Sequence, residues 1–512
     1  MELSLTREKL NYAENVLSDT RTAEEAMEII VPDALPDILR LIGADAEVFV
    51  RSKDTSAGRV TVSGTAAVTV VYVPDGDAGL RRVNLELPYS ISAEDPRVTA
   101  ASRVTARVNL RGADASVLNP RKIAVRAAVT AELRCYNDAE LDVPVGLEPN
   151  ANADIELLPG EAELSLATDV REKAFVVSDE YQVPASNPPV GEILKSNVAL
   201  IPEDTKVVGS KLIFRGTARV ALLYASGDGE AASCAFETEF SQILELENAG
   251  ADSEFEIIPL LTGAYIEADA SPGGDARRVT AELHLAAQCV ARSKRRLVYI
   301  GDAYCSKYGL ETSRLPLVVE NSLGERAVSG VLRGTLDAPD ISRVISVSAR
   351  PGTPEHAVEN GELALRCPVT VNALYAAGDG SVRATSGSFD LDASIPDANA
   401  SNRYATRAEL TQDIYGVANE NGIELRIPVD IRADETERGE YSPISAVSYD
   451  EENPLDLSNL PSLVISRAAA GDTLWNLAKR YHSTRELILQ ANGLEDEDAV
   501  ADAEMLIIPK KR

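Results

Sequence analysis

The chain has 512 residues, 26% of them charged, with a formal net charge of −31. That length is too great for one hydrophobic core, so three or four domains are expected. A field of that sign repels nucleic-acid phosphates and anionic lipid and favours basic partners.

Only seven Lys/Arg and eight Asp/Glu fall in 463–512, so nearly all of the negative excess lies upstream of that tail. Aromatics are scarce, with 7 Phe, 16 Tyr and 1 Trp, which leaves Val, Leu, Ile and Ala to fill β-sheet cores. No stretch is apolar for long enough to cross a bilayer, so no direct membrane insertion is expected. The opening MELSLTREKLNYAENVL carries charges where a signal peptide needs an apolar run, and the expected location is the cytosol. Five cysteines occur without a CxxC pair. Cys135, Cys289 and Cys367 each fall on the apolar side of a predicted strand and read as small buried hydrophobes.

Taken along the chain, an N-terminal segment (1–22) precedes a β pattern that is written three times. The copies read GRVTVSGTAAVTVVYVPDGD, SKLIFRGTARVALLYASGDGE and NGELALRCPVTVNALYAAGDGS. Their tyrosines, Tyr72, Tyr224 and Tyr375, are 152 and 151 residues apart, the period of a whole duplicated domain. In the first copy Val60, Val62, Ala66, Val68, Val70 and Tyr72 alternate with polar residues, which places them on one face of a strand. Gly64, Gly216 and Cys367 share one position, where a close approach or a bulge is expected. Each strand runs into an Asp-Gly turn suited to a hairpin.

Thirty-six residues before each tyrosine stands a proline, Pro36, Pro188 and Pro339, opening a short head that should plug one end of the sheet. Each copy closes with another alternating strand, the third interrupted by Pro428, which argues for an edge position. The pattern places repeats at 23–138, 175–311 and 312–433, with a connector at 139–174. Residues 434–461 are acidic, Ser- and Pro-bearing and without sustained periodicity, which reads as a linker.

The tail, 462–510, changes character. It predicts a strand (463–466), a helix (473–481) capped by Asp472 or Thr473, a helix (484–491) capped by Ser483 or Thr484, and a strand (505–508). Leu474, Leu477, Ala478 and Tyr481 recur at helical spacing, and Asn492-Gly493 closes the second helix. Trp475, the single tryptophan, sits one residue off this apolar stripe, open to either a packing role or a partner contact.

The run Gly471-Asp472-Thr473-Leu474-Trp475, with Ala478, Tyr481, Thr484, Ile488, Asn492 and the closing Leu506-Ile507-Ile508-Pro509, resembles a LysM domain. Such modules bind N-acetylglucosamine-containing glycans through the loop after the first strand and the loop after the second helix. The resemblance implies ligand or partner contacts at Gly471, Asp472, Thr473, Leu474, Trp475, Asn492 and Leu494. Two departures are present: Ala503 stands where the family usually has Gly, and the second loop is strongly acidic over Glu495-Asp496-Glu497-Asp498.

The repeats resemble the SPOCS domain of spore-coat proteins, through Val31-Pro32-Asp33 with Pro36-Asp37-Ile38, Val183-Pro184 through Gly191-Glu192-Ile193-Leu194, and Pro339-Asp340-Ile341. SPOCS repeats followed by one LysM resemble the SipL-type spore coat morphogenetic proteins. The implied fold is mostly β, three tandem sandwich-like SPOCS repeats with a small βααβ LysM module. The implied place is the mother-cell side of the forespore surface. The implied partners are the coat-basement ATPase and other coat proteins.

No enzymatic signature is present. His284, His356 and His482 lack paired-ligand spacing, and no GxSxG, Walker A loop or dinucleotide fingerprint occurs in context. No catalytic residue, metal or cofactor is expected. Two functional classes remain: a non-enzymatic coat scaffold whose tail docks a protein, and a peptidoglycan-binding cell-wall protein.

Overall fold

The computed structural model describes residues 2–76, 79–148, 155–247, 250, 252–269, 276–459, 461–467, 472–494 and 505–510. The first repeat has six strands: β1 (Leu5–Ile30), β2 (Ile38–Ser56), β3 (Arg59–Pro74), β4 (Arg81–Glu94), β5 (Arg103–Asn119) and β6 (Lys122–Leu147). They form two antiparallel three-stranded sheets, β1-β6-β5 and β2-β3-β4. The alternation of β3 drives this arrangement: Val60, Val62, Ala66, Val68, Val70 and Tyr72 are all buried and meet Ile123, Val125, Val129 and Leu133 of β6 in one core.

The second repeat repeats the plan with β7 (Ile155–Gln182), β8 (Glu192–Val208), β9 (Lys211–Ala225), β10 (Ala231–Glu245), β11 (Glu254–Ala268) and β12 (Arg278–Cys305), in sheets β7-β12-β11 and β8-β9-β10. After a short strand β13 (Leu310–Arg314), the third repeat uses β14 (Leu317–Leu336), β15 (Ile341–Pro351), β16 (Glu355–Glu359), β17 (Glu362–Ala377), β18 (Val382–Ile395), β19 (Arg403–Glu409), β20 (Tyr415–Asn419) and β21 (Gly422–Tyr441). Here β15 and β16 together line one side of β17, and β19 and β20 together line one side of β21. The protein is therefore mostly β and built from repeated two-sheet units, as its patterning requires.

Two sequence features acquire physical causes. Tyr72 donates its hydroxyl to Pro36 O at 3.0 Å and Tyr224 to Pro188 O at 2.9 Å, so the head is a turn held by the tyrosine thirty-six residues on. Gly64 and Gly216 lie opposite Tyr89 and Phe240, whose rings occupy the space a Cβ would need. In the third repeat the corresponding pair is Cys367 and Leu391, a larger residue facing a smaller one.

Pro428 is not on an edge. It lies in the central strand β21, opposite Val331 of β14. On the other side β19 pairs only as far as Asp430 and β20 begins at Arg426, so the neighbouring strand is interrupted where a proline cannot donate to the ladder.

Several stretches without apolar alternation are strand. Residues 5–22 belong to β1, and the expected connector holds the end of β6 and the start of β7. The expected linker begins inside β21 and contains β22 (Ile444–Tyr449), which pairs with β13. Backbone pairing carries these segments. The first strand of each sheet is an edge, and an edge strand carries charge on its open side at little cost.

The three repeats close on one another about a pseudo-three-fold axis. Ile42, Leu194 and Ile345, one from each repeat and related by the sequence period, pack in one cluster with Val71, Leu223 and Leu374, related the same way. Polar contacts run round the ring: Arg40 donates to Val382 O, Arg343 to Ala231 O, and Arg82 pairs with Glu192. Asp45 of the first repeat accepts from Lys195 of the second and Arg350 of the third, each at 2.7 Å, and these two cations hold its carboxyl below its ordinary value against the effect of burial.

A larger ionic hub joins the other sheets. Glu256 is contacted by Arg134 at 2.9 Å, Arg292 at 3.2 Å and Arg107 at 3.7 Å, and Arg134 and Arg407 share Asp434. Burial works to raise the Glu256 carboxyl, but the surrounding arginines hold it at about 2. Gln288, fully buried, bonds both Ala106 N and Ala106 O, stitching the second repeat to the edge of the first. Beyond the sandwiches, the prolonged first and last strands of each repeat form ribbons whose apolar residues merge: Leu141 and Val143, Leu164 and Leu297, and Leu317 share one cluster.

Two predictions follow from this packing. Gly216→Ala, which drives a methyl against both the Phe240 ring and the backbone oxygen of Ile201, should destabilise the chain by about 1–3 kcal/mol in urea denaturation, and Phe240→Leu, which relieves only the ring contact, should rescue it only in part. Glu256→Gln should cost about 1–3 kcal/mol at neutral pH, because it takes the shared carboxylate away from Arg134 and Arg292, both half-buried. The depressed Glu256 carboxyl contributes its full stability above the ordinary value of 4.5 and loses it as pH falls toward about 2. The gap between wild type and Glu256→Gln should narrow across that window when denaturation midpoints are compared.

Candidate functional site

The tail folds as β23 (Leu463–Ser466), α1 (Leu474–Arg480), α2 (Arg485–Asn492) and β24 (Leu506–Pro509), with the two strands paired antiparallel. Thr473 caps α1 by accepting from Asn476 N, and Thr484 caps α2 by accepting from Leu487 N. Gly493, at φ 64°, ends α2 in the left-handed conformation. Leu474, Leu477, Ala478, Ile488, Leu506 and Ile508 make the small core.

The residues expected to bind separate into distinct roles. Gly471 lies outside the described residues, as do Glu495-Asp496-Glu497-Asp498 and Ala503. Asp472 is ion-paired with Arg480 at 3.0 Å. Thr473 is exposed while its hydroxyl caps the helix, and Leu474 is buried in the core. Asn492 faces inward: its amide donates to Ile488 O and Ile507 O and accepts from Ile507 N, bolting β24 to α2. Leu494 packs on the core edge and donates its N–H to Leu489 O. Thr473 and Gly493 are exposed, while Leu494 is half-buried.

Trp475 is only 3% exposed, although it lies off the apolar stripe. It is covered by the ribbon tip of the second repeat. Its indole N–H donates to Asp302 Oδ2 at 2.8 Å, and Lys479 donates to both Asp302 oxygens at 2.7 and 2.9 Å. Tyr304 meets the indole edge-on at 4.8 Å and donates its hydroxyl to Ser483 O at 3.0 Å. Arg485 lies over the indole at 5.3 Å and donates to Leu157 O. Burial tends to raise the Asp302 carboxyl, but the hydrogen bonds from Lys479 and Trp475 outweigh it and hold it below its ordinary value.

Sequence reasoning did not find Asp302 or Tyr304. The signal that existed is Gly301-Asp302 inside a strand, where the register slips between Ile300 and Asp302, a bulge that re-aims the carboxylate.

Elsewhere, four of the five cysteines are held as unreactive thiols. Burial pushes the Cys289 thiol up to about 12 and those of Cys135, Cys234 and Cys367 up to about 11. Among the described residues no group of three His, Cys, Asp or Glu is placed to hold a metal ion. No helix among them is long and apolar enough to cross a membrane.

Comparison with known families agrees with this construction. Residues 189–264, spanning β8 to β10 and most of β11, match the SipL, SPOCS domain, and residues 469–507 match the LysM domain. The chain thus carries a SPOCS domain in its second repeat and a C-terminal LysM domain, and the first and third repeats have the same strand order as the matched one. No curated protein and no solved structure matches the chain. SPOCS and LysM are binding domains, and nothing in the site points to catalysis.

Asn492→Ala removes two hydrogen bonds that tie β24 to α2 and a third to Ile488 O within α2. It should lower the stability of the tail by about 1–3 kcal/mol, read as earlier loss of protected amides of 463–509 in hydrogen exchange.

Proposed function

We propose that this chain is a non-enzymatic morphogenetic scaffold of the spore coat or envelope. The three-repeat body holds position at the forespore surface, and the LysM tail docks a partner. The carrying observation is the joining of a SPOCS domain and a LysM domain in one chain whose repeats share interlocking cores. The repeats are fastened to one another by ionic nodes at two levels, at Asp45 and at Glu256, which suits a support. The SipL-type resemblance supplies the partner in this reading, the coat-basement ATPase, with other coat proteins gathered by the acidic repeats.

A second reading, binding to peptidoglycan or another N-acetylglucosamine glycan, is favoured by the LysM match and by the exposure of Thr473 and Gly493. Against direct transfer of the family's contacts stands Asn492, whose amide is already committed to Ile488 and Ile507.

The deciding measurement immobilises the full chain and challenges it separately with purified coat ATPase and with purified peptidoglycan. The scaffold reading expects ATPase capture with little glycan retention. Glycan retention without ATPase capture would replace it with the second reading.

A further inference from the structure

The tip of the second repeat fills one face of the LysM module with a short segment, Asp302-Ala303-Tyr304. Both polar ends of that segment are used. The Asp302 carboxylate takes Trp475 and Lys479, and the Tyr304 hydroxyl takes the backbone carbonyl of Ser483. The Tyr304 ring packs on Trp475 from one direction and Arg485 covers it from another. Leu158, from the paired strand of the same ribbon, completes the apolar contact.

The polar part of this contact is only partly desolvated: the Lys479 side chain is 44% exposed and the Asp302 side chain 25% exposed. An ion pair of that exposure contributes weakly. What keeps the module seated is the burial of Trp475 and Tyr304 against each other, helped by the chain between β22 and β23, which holds the tail at high effective concentration. Such a contact is reversible by a competitor that offers the same chemistry. The exposed residues Thr473 and Gly493 lie outside it.

Building on the reading of the tail as a docking module, we propose that the α1 face of the LysM module is a receptor for an acidic-aromatic segment, and that Asp302-Ala303-Tyr304 is a built-in competitor that keeps it closed. A protein partner that engages this face presents a carboxylate to Trp475 and Lys479 and an aromatic ring to Trp475, and it displaces the second repeat to do so. A ligand that touches only Thr473 and Gly493 leaves the Asp302-Ala303-Tyr304 contact in place. The two kinds of ligand thus meet different states of one tail, and the apparent affinity of the protein partner is reduced by the fraction of tails that are closed.

Trp475 is the sole tryptophan, so its fluorescence in the full chain reports the contact directly. Asp302→Ala should shift the emission to the red and expose the indole to acrylamide. An octapeptide copying residues 299–306 should reverse both changes in that variant, and the same peptide with alanine at its aspartate should not. Wild type should respond to neither peptide. Lys479→Glu, which sets two negative groups against each other, should open the contact in the same way, and it serves if Asp302→Ala misfolds. Dispersed amide resonances from 472–494 separate an opened tail from an unfolded one.

Capture of the coat ATPase should be about tenfold tighter by Asp302→Ala than by wild type if a tenth of wild-type tails are open. Unchanged emission and quenching in both variants, or equal response to the two peptides, would overturn the competitor. Equal capture by wild type and Asp302→Ala would overturn it too, while leaving the scaffold reading intact. An opened tail that captures no ATPase would instead sink that reading and leave the competitor standing.

Discussion

Glu256 sits where the three repeats meet, and its charge is held by arginines drawn from more than one of them: Arg107 and Arg134 from the first and Arg292 from the second, with the field of Arg407 from the third. Drawing a carboxylate largely out of water is unfavourable unless neighbouring charges answer it. The hub answers them in series, since Arg134 goes on to Asp434, Arg407 to Asp434 and Glu325, and Arg432 to Glu325. Arg407 and Arg432 balance Glu325 and Asp434 within the third repeat, and Arg292 pairs with Glu256 within the second, whereas Arg107 and Arg134 of the first reach across to acids of both neighbours. The consequence is architectural: those two arginines of the first repeat bind the other two repeats to it.

The same logic recurs at Asp45, which draws one cation from each of the other repeats beside the apolar cluster of Ile42, Leu194 and Ile345. Between these two ionic nodes the apolar residues supply most of the stabilisation, and the ions fix which surfaces meet. The strand ribbons that project from the body then have a defined direction. Their apolar residues merge, and the ribbon of the second repeat ends in the bulge at Gly301-Asp302 that receives the LysM module. The position of the tail in this closed contact is therefore set by the body.

Much of this was readable from residues in order. The period between Tyr72, Tyr224 and Tyr375 gave the repeat, and its value also relates the residues at the pseudo-three-fold axis. The alternation of β3, β9 and β17 placed their buried faces, and the caps at Thr473 and Thr484 with the stop at Gly493 placed the tail helices to within a residue. Pro428 shows where the reading went astray. Proline rules out a backbone donor, not a central position, and the neighbouring strand parts at that point. Strand β1 and the end of β21 were missed because edge and ribbon strands are held by backbone pairing, which leaves little trace in hydropathy.

What the sequence determined by itself is whatever depends on neighbours along the chain: side-chain period, turn chemistry, helix caps and duplication. What the tertiary structure alone decided is which charges share a site and what covers Trp475. Arg134 and Asp434 are 300 residues apart, and Trp475 and Asp302 are 173 apart. Electrostatic and packing partners at such separations are chosen by how whole sheets dock, and no local pattern of residue types encodes that choice.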